Sequence, residues 1–502
     1  MFKNIVARIK AVMYRMGLIK GVKKLAEHKD IQVNEEFYKH IDDWKALYKG
    51  YFSAWHDISY TTISGTKKRR MATLNMPKVV SQELATLIFN ERCEINISET
   101  SLSENIHNVL KDNNFIKKFQ DYLEFKFAMG GMVIKPYVAE DKMKLSYVTA
   151  DCFVPISWDH DRIQEAVFPN EFRRGDKKYT HLEWHVWEGE EYVIRNEVYE
   201  NKGSDDLGVK VSLKQFFPNL EEETRIIGYN RPGFVYFKPN TANNFDPASP
   251  LGISIFANAL DTLHSLDIAF DSYQREFKLG KKRILVPDSA IKTVVDPETG
   301  KVSRYFDADD EVYQAFNMGD SEDKIHDISA ELRVEEHISA INSLLNLLAM
   351  QVGFSSGSFT FDGDGVKTAT EVVSENSKTF RTKQSHENLI EAGIQELVGA
   401  IVQVAELYDL FERPAKDYEV TVAFDDSIAE DQNAEISKQV QLVTNGLTSK
   451  KKSIMKIHGF SEEEAELLLK EIREDSATAT AEGIDFFGMN RTSGGKKNAE
   501  VS

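Results

Sequence analysis

The sequence predicts an α+β subunit in which a helix leaves the body, makes a small β excursion and returns as a helix. Three observations carry this. Helical patterns up to Met129 give way to alternating strand patterns from Met132 to about Phe237, the order of an α+β domain with an antiparallel sheet. Helical patterns over Ile253 to Leu279 and Leu332 to Val352 flank about fifty turn-rich residues with β character. After Pro414 a single strand pattern and several short helices close the chain.

At 502 residues the chain exceeds one ordinary core, and its 41% hydrophobic and 28% charged residues are a globular composition. Cys93 and Cys152 form no CxxC and offer no disulfide framework, which fits a reducing compartment. A net charge of −18 excludes a conventional gripping nucleic-acid surface but suits a wall past which nucleic acid slides. Residues 1–32 form a basic arm in which Lys3, Arg8, Lys10 and Arg15 interrupt the apolar residues. That excludes a secretory signal, and docking on an acidic surface is expected rather than membrane binding. No run approaches the roughly 20 apolar residues that span a bilayer.

Residues 33–48 set Phe37, Ile41, Trp44 and Leu47 on one helical face. Lys67, Lys68, Arg69 and Arg70 form a dense basic cluster, suited to phosphate or to an acidic neighbouring subunit. Pro77 opens a helix, and Ser101 with Glu104 forms a capping box for the next. In the strand block His181, Glu183 and His185 share one face. With no third ligand evident, they are read as structural rather than as a zinc site.

In the first long helix Phe256, Leu260, Leu263, Leu266, Phe270, Tyr273 and Phe277 make a coiled-coil-like seam. Asp261, Asp271, Arg275 and Lys278 lie on the other side. Gly280 ends it, and Lys281, Lys282 and Arg283 complement its dipole or mark a DNA exit. The excursion offers the strands RILVP, KTVVD, KVSRYF and EVYQAF, too little for a core of its own, so pairing with copies of itself would explain how it survives. The returning helix, capped at Ser329, carries Val334, Ile338, Ile341, Leu345, Leu348 and Val352.

The glycine-rich loop from Gly353 holds Thr360, Asp362, Asp364 and Glu371 at calcium-loop spacing, but without an entering helix. Glu371 is read instead as a helix cap with Thr368, and no metal or cofactor is expected. The helix that follows, to about Tyr408, is polar from Ser374 to Glu387 and apolar from Leu389 on. Its polar half is expected to be solvated or to line a channel or subunit boundary. Gly446 closes a helix begun near Asp426 or Ser427, and Ser461 caps an acidic one. There is no GxxxxGK[ST], HExxH or GxSxG, which removes the common nucleotide-driven motors.

The stretches LGISIFANALDTLHSLDIAFDSYQREF, GFSSGSFTFDGDGVKTATEV and SIAEDQNAEISKQVQLVTNG, in this order of parts, resemble the portal proteins of long-tailed phages of Gram-positive bacteria. The resemblance covers roughly residues 35–475. It implies a portal-type ring subunit: an α+β wing (33–250), a stem of two helices (251–279 and 331–352), a β-rich clip (280–330), a tunnel loop (353–367), a long tunnel/wing helix with return strand (368–425), a helical crown (426–475) and a tail (476–502). It also implies a homo-oligomeric ring, typically of twelve, at one capsid vertex of the virion, assembled in the host cytoplasm. Double-stranded DNA would enter and leave through it, with the terminase motor, major capsid and scaffolding proteins and a head–tail adaptor as partners. Phe359, Lys367, Lys378, Arg381 and Lys383 are the expected channel contacts. The rival reading is a monomeric or dimeric α+β enzyme with its site between the strand block and the helix at 368–408.

Overall fold

The computed structural model describes residues 34–62, 65–160, 162–201, 207–280, 331–361, 377–412, 417–425, 432–458 and 465–472. It also describes Leu25, His28, Ile31 and short pieces between 284 and 327. These fall into two compact units, one within residues 1–363 and 376–425, the other after Asp425.

In the first unit, helix α1 (Glu35–Tyr48) starts where the Asn34 side chain accepts from Phe37 N at 3.2 Å, and it buries Phe37, Ile41, Trp44 and Leu47. A short helix α2 (Ser53–His56) feeds the hairpin β1 (Asp57–Thr62) and β2 (Gly65–Arg70). Helix α3 (Met76–Ile88) has Pro77 in its first turn and precedes strand β3 (Glu94–Ile97). Helix α4 (Thr100–Asp112) is not capped by the expected Ser101–Glu104 box. Glu99 stands at the N-cap, and its two carboxylate oxygens take the free N–H groups of Ser101 and Leu102. A carboxylate satisfies both donors at once and complements the positive helix end, which a hydroxyl does not. Helix α5 (Phe115–Met129) stops at Gly130, whose φ of +87° and approach to Gly252 O leave no room for a Cβ.

The expected strand block forms two antiparallel sheets. The smaller has the order β12 (Val235–Phe237), β4 (Met132–Ala139), β5 (Lys142–Thr149). The larger is a meander of β6 (Val154–Asp159), β7 (Arg162–Arg174), β8 (Lys177–Glu188), β9 (Glu191–Glu200) and β10 (Val209–Val211), with β11 (Glu223–Ile226) also on β9. Helix α6 (Leu260–Leu279) begins seven residues later than the pattern from Ile253 suggested, after a 3-10 turn at Ala257–Ala259. The preceding residues are instead tied to the end of α5 and to β12: Ile255 N donates to Phe127 O at 3.0 Å, and Gly252 N to the Tyr236 hydroxyl at 3.0 Å. Their apolar side chains are buried, so burial produced a helix-like pattern without a helix.

Beyond α6 the described backbone shows β13 (Ile284–Leu285) paired with β16 (His326–Asp327), and between them a hairpin of β14 (Lys292–Val295) and β15 (Val302–Tyr305). EVYQAF (311–316) lies outside the described residues. Helix α7 (Val334–Gln351) returns with Arg333 at its N-cap and no side-chain cap, while Ser329 is outside the description. Helix α8 (Ser377–Leu407) lies over the smaller sheet, where Gly393 meets the Phe237 ring so closely that a Cβ would stand 2.3 Å from it. Strand β17 (Val420–Ala423) then runs antiparallel to β3, returning the chain to the body. The second unit contains α9 (Gln432–Thr444), α10 (Lys450–His458) and a helical stretch at 465–472.

Candidate functional site

Helices α6 and α7 form the backbone of the site, and polar groups fix both of their junctions. At one end Arg333 donates to Glu276 at 3.1 Å and 2.9 Å, holding that carboxyl down to about 2. There a Cβ on Gly280 would fall 2.3 Å from Leu332, so glycine permits the close approach. Nearer the body, Asp267 and Asp271 sit one turn apart on α6. Asp267 holds His56 Nε2 at 3.1 Å and accepts from Leu74 N at 3.1 Å. Asp271 takes both Arg69 nitrogens at 2.7 Å and Ala72 N at 3.1 Å. Burial pushes the Asp271 carboxyl up, but Arg69 and that N–H outweigh it and hold the group below its usual value.

These contacts change the reading of two features. Asp271, placed by the sequence only on the side opposite the apolar seam, is part of a clamp. In the basic cluster Lys67 and Lys68 are exposed, whereas Arg69 is clamped and Arg70 donates to Gly50 O at 2.6 Å, its guanidinium over the Tyr51 ring.

The loop after α7 is held by side chains that sequence reasoning did not single out. Asn342 and Asn346, one turn apart, accept from Phe361 N at 3.2 Å and Gly357 N at 2.7 Å. Ser355 N donates to the Thr379 hydroxyl on α8 at 2.9 Å, and Gly353 (φ +90°) packs against Thr382. The spacing of the asparagines on a polar helix edge was the available signal. Phe359, expected at the channel, instead packs on Phe354 with ring centroids 5.0 Å apart, and Phe361 is the outward aromatic at 61% exposure.

Of the basic residues on α8, Arg381 is exposed and Lys378 half-buried; Lys378 donates to Met350 O and Arg381 to Ser377 O at 3.4 Å. Lys383 is 2% exposed and paired with Glu387 at 2.6 Å, so its ammonium does not face solvent in the subunit. His386 is also buried. Its Nδ1 accepts from Asn240 N at 3.0 Å, and burial, then Lys126, push it down to about 3. The polar half of α8, expected to be solvated or to line a channel or subunit boundary, buries Lys383, His386 and Glu387 in the subunit: part of a polar sequence forms a face whose polar atoms find partners internally. Lys281, Lys282, Arg283, Asp362, Asp364, Lys367 and Glu371 lie outside the described residues. Among the described residues no group of three or more His, Cys, Asp or Glu side chains could hold a metal.

The rival enzyme site has a physical counterpart. A cavity of about 150 Å³ opens between the strand block and the end of α8, lined among others by Lys135, Tyr137, Glu183, His185, Tyr229 and Tyr408. Lys135, Glu183, His185 and Tyr192 in its wall are committed to one another. Lys135 Nζ lies 2.8 Å from Glu183, whose carboxylate also meets His185 Nε2 at 2.7 Å, and His185 Nδ1 meets the Tyr192 hydroxyl at 2.7 Å. Burial pushes Glu183 up, but Lys135 and His185 prevail and hold it well below the usual range; burial pushes both His181 and His185 down. Such a network of paired groups stabilises structure.

A model of the family described as phage portal protein, SPP1 Gp6-like, matches residues 27–478 of the chain. No curated protein matches it.

Proposed function

The chain belongs to the SPP1 Gp6-like phage portal proteins, and from that premise we propose how its parts divide the work of a portal. As a member it is a structural, non-enzymatic protein of the virion, a ring subunit at the capsid vertex through which DNA passes. Among the described residues no helix is long and apolar enough to cross a membrane.

In this reading residues 33–250 are the wing, α6 and α7 the stem, residues 280–330 the clip, 353–367 the tunnel loop, and the helices after Asp425 the crown. The observation that supports it is the order helix, paired β pieces, helix, with Glu276–Arg333 and the Gly280–Leu332 approach joining the two helices where the excursion departs. The loop bracketed by Asn342 and Asn346, the exposed Phe361 and Arg381 and the half-buried Lys378, together with Lys367, are the DNA-facing set. The ring holds twelve copies and receives the terminase motor, capsid and scaffolding proteins and a head–tail adaptor.

Each copy carries −18. The bore it lines repels phosphate, and the few outward cations make brief contacts. Twelve copies of a 57.1 kDa chain give a ring of about 685 kDa. Native mass spectrometry and electron microscopy test this reading. A species of one or two copies without a central hole would sink it.

A further inference from the structure

The cavity between the strand block and the end of α8 has a polar floor whose hydrogen-bonding capacity is only partly used. Burial opposes the charge on Glu183, but Lys135 and His185 hold the group ionised, so it can only accept. Its Oε1 therefore accepts from His185 Nε2 at 2.7 Å and from Lys135 Nζ at 2.8 Å. Burial keeps His185 neutral, so its Nδ1 accepts from the Tyr192 hydroxyl at 2.7 Å, and that oxygen accepts from Gly233 N at 2.9 Å. The chain of bonds fixes every member in one orientation.

Two capacities are left over. Both partners of Glu183 use Oε1, and among the described residues Oε2 accepts nothing. Lys135 is 6% exposed, and its three donors find one hydrogen-bond acceptor among the described residues, with the Phe168 ring on another side. Both side chains line the cavity. The rest of the wall is largely apolar, with Ile194, Ile226, Val404 and Leu407 and the rings of Tyr137 and Tyr229. Its volume of about 150 Å³ is that of a cavity that takes a benzene ring. Leu407, at 45%, is the exposed member of the wall and marks the mouth.

The floor selects by charge. Lys135 and Glu183 balance each other, so an entering anion meets the carboxylate and an entering cation the ammonium, each away from bulk water. A neutral hydroxyl suits both, giving its proton to one and accepting from the other. A ring carrying that hydroxyl fills the apolar space, the combination of apolar wall and few fixed polar groups that ligand sites share.

We propose that this cavity is a binding site for a neutral phenol, a single ring whose hydroxyl donates to Glu183 Oε2 and accepts from Lys135 Nζ. The phenol is a free single-ring compound or the tyrosine side chain of a partner. All the residues that hold it belong to one subunit, so the site does not depend on ring formation.

Calorimetric titration of the full-length protein with p-cresol at pH 7, where the phenol is neutral, tests this. One equivalent binds per chain, and toluene, the same shape without the hydroxyl, binds about tenfold or more weakly. Leu407→Trp, a change at the exposed rim, weakens p-cresol binding about tenfold by filling the mouth. Bound p-cresol slows hydrogen exchange of the amides in 192–196 and 404–408. N-acetyltyrosinamide separates the two sources: binding at least as tight as that of p-cresol assigns a partner's tyrosine, and weaker binding a free compound. Should Leu407→Trp fail to fold, the exchange map of the wild type decides. No binding of p-cresol at millimolar concentration, equal affinity for toluene, or slowed exchange confined to other segments overturns the site. None of these outcomes bears on the ring, which is read from the mass of the assembly.

Discussion

Of the three lysines buried among the described residues, Lys126 and Lys135 have surroundings that differ in kind. Lys135 on β4 is 6% exposed, with Glu183 at 2.8 Å and the Phe168 ring 4.0 Å beneath its ammonium. Lys126 on α5 is fully buried and, among the described residues, its ammonium has no hydrogen-bond partner. It lies 4.4 Å over Phe127, and the titratable group it faces on α8 is His386. Burial alone pulls Lys126 down to about 7. One buried cation is neutralised by design of the sheet; the other is held near the point of losing its proton. The difference teaches that burial is tolerable for a charge with a fixed counter-charge and a standing liability for one without.

The largest effect comes from breaking the satisfied site. Glu183→Gln strands Lys135 beside a neutral amide, and the expected loss is about 3–5 kcal/mol in chemical unfolding at fixed protein concentration. Adding Lys135→Met should recover much of it. A loss below about 1 kcal/mol from Glu183→Gln would mean that the network does not hold a charge.

The unsatisfied site should respond in the opposite direction. Lys126→Met removes the desolvation penalty and should stabilise the subunit, on the order of 1–4 kcal/mol at neutral pH. The pH dependence gives the sharper check. Between about 7 and the ordinary lysine value near 10.4 the folded state binds fewer protons than the unfolded state, so stability rises with pH across that window. Below about 7 both states are protonated and the penalty is present in full. Unfolding midpoints at pH 7 and pH 9 should differ in the wild type, and Lys126→Met should remove that part of the slope. An unchanged slope would show that Lys126 has an effective partner.

Between the two extremes stands the Arg69–Asp271 clamp, whose arginine is a quarter exposed. Arg69→Met should cost about 1–2 kcal/mol and raise hydrogen exchange in the β1–β2 hairpin, while leaving that of the large sheet unchanged. An effect as large as that of Glu183→Gln would erase the distinction between partly solvated and fully buried pairs.

Much of the architecture was legible because it rests on periodicity: the helices at 35–48, 260–279 and 334–351, the alternating block, and Gly280, Gly353 and Gly446 as stops. What stayed hidden depended on pairings far apart in sequence. Glu183 finds Lys135 across 48 residues and Asp271 finds Arg69 across 202, and no spacing rule announces either. The apolar run from Ile253 read as helix because a buried extended strap and a buried helical turn look alike over six residues. Lys126 sits in a helix whose other charges are surface-bound, and only the burial of α8 against it makes it unusual. For the candidate channel the sequence named Phe359, Lys378, Arg381 and Lys383 together; it did not announce that in the subunit Phe361 and Arg381 are exposed, Phe359 and Lys378 half-buried and Lys383 buried.

Those three cations on α8 supply the smallest effect on stability and the most direct bearing on DNA transport. Arg381 is exposed and Lys378 half-buried with its ammonium on Met350 O, so converting both to glutamine should change stability by no more than about 1 kcal/mol and leave the ring mass unaltered. Their charge is available to a passing phosphate, and the variant should alter the rate or final length of DNA packaged by otherwise intact rings. Lys383 should behave the other way. With its ammonium buried against Glu387, Lys383→Gln should lower stability measurably and affect packaging only in proportion to that loss. Packaging unchanged by Lys378→Gln/Arg381→Gln, together with packaging altered by Lys383→Gln at full stability, would reverse the assignment and place the DNA-facing side of α8 on the surface that the isolated subunit buries.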